Sequence, residues 1–135
     1  MRKVKNDGGR KVKKTVVFDF DGVIHSYTSG WQGIGVIPDK PINAIKEAID
    51  DIRNAGYEVV VVSTRCREVK GIKAIEDWLK FYNIGVDGIT ADKPPAIVYI
   101  DDRAICFDGD AKSLLNKIND FKPWYAKEVN GGAEG

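Results

Sequence analysis

The amino-acid sequence predicts an α/β domain with a doubly wound parallel sheet. Three observations carry this expectation. Short apolar, β-branched runs alternate along the chain with stretches of helical periodicity. Each of the clear runs stops abruptly at hydroxyl or acidic residues. Gly or Pro stands at most of the junctions between them.

The elements follow in order. Thr15-Val16-Val17-Phe18 reads as a buried strand that closes on Asp19-Phe20-Asp21, with Gly22 as the turn that ends it. Residues 23–38 hold Gly30, Gly33 and Gly35 together with Tyr27 and Trp31. That stretch is too short for a domain and too aromatic for a linker, so a loop or small hairpin over the mouth of the crevice is expected. Asp39 is then read as a helix cap and Pro41 as an early helical position. Ile42, Ile45, Ile49 and Ile52 recur at helical spacing until Gly56, which predicts a helix of about four turns.

Tyr57 to Val62 is the second strand, and Ser63-Thr64-Arg65 bounds it. Ile72, Ile75, Leu79 and Tyr82 place a second helix over roughly residues 67–82. Gly85 and Asp87-Gly88 end it, and Ile89 is assigned to a short strand. Lys93-Pro94-Pro95 makes a rigid loop before the strand Ile97-Val98-Tyr99-Ile100, which runs directly into Asp101-Asp102. Asp110 is placed as the cap of a last helix carrying Leu114, Leu115, Ile118 and Phe121. The alternation is that of a Rossmann-like sheet with helices on both faces and no large cap domain.

Composition sets the outer limits. The chain has 135 residues, 43% hydrophobic and 30% charged, which suits one globular domain with a real core. Its purely apolar stretches, such as Val59 to Val62, are far too short to span a bilayer, so no membrane partner is expected. The basic N-terminus lacks the apolar segment of a signal peptide, and Cys66 and Cys106 form neither a zinc spacing nor a disulfide framework. Both features predict a cytoplasmic location.

Net charge is +1, yet residues 1–14 carry seven Lys or Arg and one Asp. Within this arm Arg2-Lys3-Val4-Lys5 recurs as Arg10-Lys11-Val12-Lys13, and Asp7-Gly8 can make a hairpin turn between the copies. We therefore divide the chain into a basic arm (1–14), flexible or a small hairpin, a main domain (15–125) and a flexible tail (126–135). The arm is either a solvated terminus or a contact for phosphate and other anions.

In a parallel sheet the carboxyl ends of all strands lie on one edge, where such folds bind their ligands. Asp19, Asp21, Ser63, Thr64, Asp101 and Asp102 all sit where an apolar strand stops. Carboxylates that converge there repel one another unless a cation or a shared proton offsets the charge. A hard cation with oxygen ligands, such as Mg²⁺, suits them. A carboxylate can also attack phosphorus, provided metal, lysine and hydroxyl groups neutralise the phosphoryl charge.

Four stretches in this order resemble the motifs of the haloacid dehalogenase superfamily of phosphohydrolases. They are Phe18-Asp19-Phe20-Asp21-Gly22-Val23, Val60-Val61-Val62-Ser63-Thr64-Arg65, Lys93, and Tyr99-Ile100-Asp101-Asp102-Arg103. The resemblance implies a Mg²⁺-dependent phosphatase that hydrolyses a phosphomonoester through an aspartyl phosphate on Asp19. Asp21 would be the general acid/base and give its carbonyl to the metal, and Asp19, Asp101 and Asp102 would supply carboxylates. Ser63, with Thr64 as its substitute, would bond the phosphoryl oxygens, and Lys93 would neutralise the aspartyl phosphate.

The short gaps between these motifs resemble those of small capless bacterial and phage members. An open crevice of that kind admits a phosphorylated small molecule or a nucleic-acid end, or takes cover from a second copy of the chain. Arg65 and Arg103 are open to two readings, substrate phosphate or a structural ion pair. His25 is read as a local hydrogen-bonding group rather than a catalyst. Tyr27 and Trp31 either stack on substrate or pack the loop. Two other functions stay open: a nucleic-acid-binding or adaptor protein of weak turnover that uses the basic arm, and phosphoryl transfer to an acceptor other than water.

Overall fold

The computed structural model of the protein describes residues 6–7, 10–11 and 13–126. Two strands of two residues, β1 (Asn6–Asp7) and β2 (Arg10–Lys11), pair antiparallel. Of the expected turn pair Asp7-Gly8, Gly8 lies outside the described residues, as do 127–135 of the expected tail. By chain contacts the protein forms two compact units, residues 1–100 and 101–135.

In the first unit, β3 (Thr15–Asp19), β4 (Glu58–Val62), β5 (Gly88–Thr90) and β6 (Val98–Ile100) make one parallel sheet in the order β5-β4-β3-β6. Parallel neighbours need crossover connections. The crossover from β3 to β4 carries α1 (Ile45–Asn54), and that from β4 to β5 carries α2 (Val69–Phe81). The fold is therefore α/β and Rossmann-like, and no large cap is inserted among the described residues.

Register explains the core. Val16 pairs with Val59 and Phe18 with Val61, so alternation along each strand sends all four to one face. There they meet Ile49 of α1 and Ile75, Trp78 and Leu79 of α2 in a single buried cluster. Each such aliphatic or aromatic side chain contributes about 1.5–3 kcal/mol on burial. The Ile stripe read from the sequence supplies this face of α1.

Helix α1 begins later than the sequence predicts. Pro41 forms an antiparallel bridge with His25, and the Ile42 amide donates to the Ile24 carbonyl at 2.9 Å. This extended pairing occupies the residues that were expected to open the helix. The chain then turns at Ala44, which adopts φ 67°, before α1 starts at Ile45. Asp39 is consequently no cap, and its carboxylate holds the loop described below.

The second unit opens at Asp101-Asp102. A 3₁₀ turn (Ala111–Ser113) leads into α3 (Leu114–Asp120), and Asp110 caps the turn by accepting the Lys112 amide at 3.1 Å. Asp108 accepts the Asp110 amide and the Lys117 ammonium, both at 2.9 Å. No helix among the described residues is long and apolar enough to cross a membrane.

Candidate active site

Strand β3 stands where the chain order reverses, with β4 and β5 on one side and β6 on the other. Loops leaving the carboxyl ends of β3 and β6 therefore diverge, which is where open α/β sheets form a crevice. Asp19 is the last residue of β3, and Phe18 before it pairs with Ile100, the last residue of β6. The chain beyond Ile100 continues as Asp101-Asp102. Asp19, Asp101 and Asp102 each offer a carboxylate oxygen, and these oxygens lie within 4.8 Å of one another.

Three carboxylates at that spacing could hold a metal ion. An all-oxygen set suits hard cations such as Mg²⁺, Mn²⁺ or Ca²⁺ better than softer metals. Asp101 gives one oxygen to the Arg103 amide at 2.9 Å, and Asp102 accepts the Tyr125 hydroxyl at 2.8 Å. These bonds orient the carboxylates and leave oxygen lone pairs for a ligand.

After Asp19 the chain coils tightly around one carbonyl. The amides of Val23, Ile24 and His25 all donate to the Phe20 oxygen, at 3.2, 2.9 and 3.0 Å. Gly22 adopts φ 85°, a left-handed conformation that a side chain would strain. The turn brings His25 Nδ1 to 2.8 Å from Asp21 Oδ1. On the other side of the ring, the Asp39 amide donates to Nε2 at 3.2 Å. A nitrogen that accepts carries no proton, so this bond assigns the proton to Nδ1, which donates to Asp21. The ring itself is fully buried between Phe20, Tyr27 and Trp78.

Arg65 meets the same carboxylate from the opposite side. It lies on the 3₁₀ turn Thr64–Arg67 that follows β4, capped by Ser63 Oγ, which accepts the Arg65 amide at 3.1 Å. Its Nε and Nη2 donate to Asp21 Oδ2 and Oδ1 at 3.0 and 3.1 Å, and Nη1 donates to the carbonyls of Gly33, Ile34 and Val36 at 2.8, 2.7 and 3.2 Å. The Trp31 ring covers the guanidinium at 4.6 Å. Arg65 is 0% exposed. Of its two readings it makes the ion pair, so the expected contact with substrate phosphate would require breaking these bonds. Burial pushes the Asp21 carboxyl up, but the bonds from His25 and Arg65 outweigh it and hold the group below its usual range.

The remaining expected residues are spread along this edge. Ser63 is buried as the cap of the 3₁₀ turn, and Thr64 is exposed beside it. Lys93 is exposed, with its ammonium 4.8 Å from the centre of the Tyr99 ring. The three acidic strand ends are thus brought together, and Asp21 joins Arg65 and His25 in a second, adjoining network. Sequence reasoning missed Asp39 in this network. Its carboxylate accepts the Ser29 amide at 2.7 Å and the Ser29 hydroxyl at 2.6 Å, which closes residues 29–39 into a loop.

No protein-family model and no curated protein sequence matches the chain. Among solved structures, a chain of a Pnkp1/Rnl/Hen1 complex is similar at 18% identity with a TM-score of 0.49. The similarity covers 78% of this chain, which spans 35% of the length of that one.

Proposed function

We propose that this protein is a Mg²⁺-dependent phosphatase of the haloacid dehalogenase kind that acts on a phosphomonoester. One observation carries the reading. Asp19 and Asp101-Asp102 converge at the reversal point of a parallel sheet, with oxygens close enough to share an ion. The four motif-like stretches supply the matching residue types in the matching order.

A bound Mg²⁺ would neutralise phosphoryl charge beside the three carboxylates. An Asp19 oxygen then attacks phosphorus, and the bond from phosphorus to the leaving oxygen breaks. Water next attacks the aspartyl phosphate, its proton passes to Asp21, and cleavage of the Asp19–phosphorus bond frees phosphate and restores the carboxylate. Ser63 or Thr64 and Lys93 would hold the phosphoryl oxygens. Paired with Arg65, Asp21 is an ionised carboxylate, the protonation state that the base half of its role requires. Leaving groups that depart as anions need no proton from it, which makes an aryl phosphate the right first probe.

The test is hydrolysis of p-nitrophenyl phosphate by wild type and Asp19→Asn, with Mg²⁺ and with a chelator. Turnover is expected only with metal, and a fall of about 10³-fold or more is expected in the variant. Metal-independent turnover, or wild-type rates in Asp19→Asn, would reject the mechanism. Phosphorylated metabolites and 3′- and 5′-phosphorylated oligonucleotides, screened in parallel, would define the substrate.

A further inference from the structure

We propose that Arg65 is a positioning residue that joins loop 31–36 to the Asp21 carboxylate, so that docking of the loop and alignment of the acid–base group are one event. This rests on the phosphatase reading for its catalytic consequence, although the coupling itself is a property of the fold.

A guanidinium with no exposure to water has lost all of its hydration, a cost of several kcal/mol unless the protein replaces it. Here the replacement comes from two places. One edge of the guanidinium fork takes both oxygens of Asp21, while Nη1 takes three carbonyls from a loop about thirty residues earlier in the chain. Carbonyls of a surface loop ordinarily face water. Three of them converge inward here because a buried cation lies at the focus.

Arginine alone can do this. Its flat fork donates along two edges at once, whereas a lysine ammonium is a single point that cannot serve both a carboxylate and the loop. Trp31 closes the remaining face of the guanidinium. A second path joins the same partners: Asp39 clamps the loop base through Ser29, and its amide bonds His25, which donates to Asp21. The loop and Asp21 are therefore tied through two paths. If the loop lifts, Arg65 loses three of its five side-chain hydrogen bonds and Asp21 loses its fixed orientation. Arg65 touches no reacting atom in this account; it acts through Asp21.

The experiment pairs hydrogen exchange with kinetics. The reporters are amides of residues 29–36, including Ser29, bonded to Asp39, and Val36, bonded to the Gly33 carbonyl. In Asp21→Asn these amides should exchange about tenfold faster or more, while those of β4 stay at wild-type rates. In Arg65→Lys, kcat on p-nitrophenyl phosphate should fall about tenfold or more with KM within about twofold. A burst of nitrophenol should also appear, because Asp21 serves the second half-reaction.

Wild-type loop exchange in Asp21→Asn, or wild-type kcat in folded Arg65→Lys, would overturn the proposal. Should Arg65→Lys fail to fold, Trp31→Ala uncovers the guanidinium from outside. It should move both readouts in the same directions, and no change in either would overturn the proposal as well. Absence of any Mg²⁺-dependent turnover in the wild type would instead sink the phosphatase reading, while the exchange arm would still decide the coupling.

Discussion

Asp87 receives three donors: Nε and Nη2 of Arg53 at 3.1 and 2.8 Å, and the Val59 amide at 2.8 Å. Burial pushes its carboxyl up, yet the bonds from Arg53 and Val59 win and hold it below the ordinary value of 3.8. Asp21 and Asp39 are lowered too, each against the opposing effect of burial. A carboxylate lowered on folding stabilises fully above its unfolded value, and the contribution disappears as pH falls through the folded one. Thermal stability should therefore be flat around neutrality and drop as the solution is acidified below about pH 4. Asp87→Asn should flatten part of that drop, and Asp87→Ala, which strands the Val59 amide, should cost about 1–3 kcal/mol in chemical denaturation. An identical acid profile in Asp87→Asn would remove this residue from the explanation. At this scale the acidic strand ends were legible, because Asp19 and Asp101 each terminate an apolar run. The local hydrogen bond of His25 was legible too, and an ion pair was one of the two readings of Arg65. Asp21 as their shared partner and Asp39 as part of the network were not, since a loop path that periodicity does not describe sets them.

Among the elements, the strands and α2 were legible to within two residues, because β-branched runs and a long apolar stripe each favour one conformation. The start of α1 was not. Local signals, Asp39 and Pro41, favoured a helix there, but pairing of Pro41 with His25 is a long-range contact that overrides them. The junction of the 3₁₀ turn with α2 shows a different constraint. A Cβ added to Gly71 would meet the Arg65 carbonyl oxygen at 1.8 Å and the Ile34 side chain at 2.9 Å. The first contact is with backbone and cannot be relieved by a rotamer change. Gly71→Ala should therefore cost about 3 kcal/mol or more, well beyond the usual small benefit of alanine in a helix. Because the displaced atoms belong to Arg65, the substitution should also speed amide exchange in loop 31–36. A Gly71→Ala protein as stable as wild type would show that α2 does not press on this turn.

For the molecule as a whole, the decisive step is one that local sequence does not contain. Alternating strands and helices announce a parallel sheet, but they leave the strand order open. Only the order β5-β4-β3-β6 sets β6 against β3 and so makes neighbours of residues more than eighty positions apart. The three carboxylates then repel in the metal-free protein, and a divalent cation should relieve this by binding the folded chain alone. Linkage gives the size: free Mg²⁺ at a hundred times its dissociation constant adds about 2.7 kcal/mol to folding stability. Melting temperature should thus rise with Mg²⁺ and level off on a logarithmic scale. NaCl at matched ionic strength controls for general screening, which acts on every exposed charge and has no particular ligands. Asp101→Asn and Asp19→Asn should each lose most of the Mg²⁺ response. Loss of the increment in both variants is the signature of a shared ion. An equal Mg²⁺ increment in wild type and both variants would mean that the carboxylates are neighbours without being ligands.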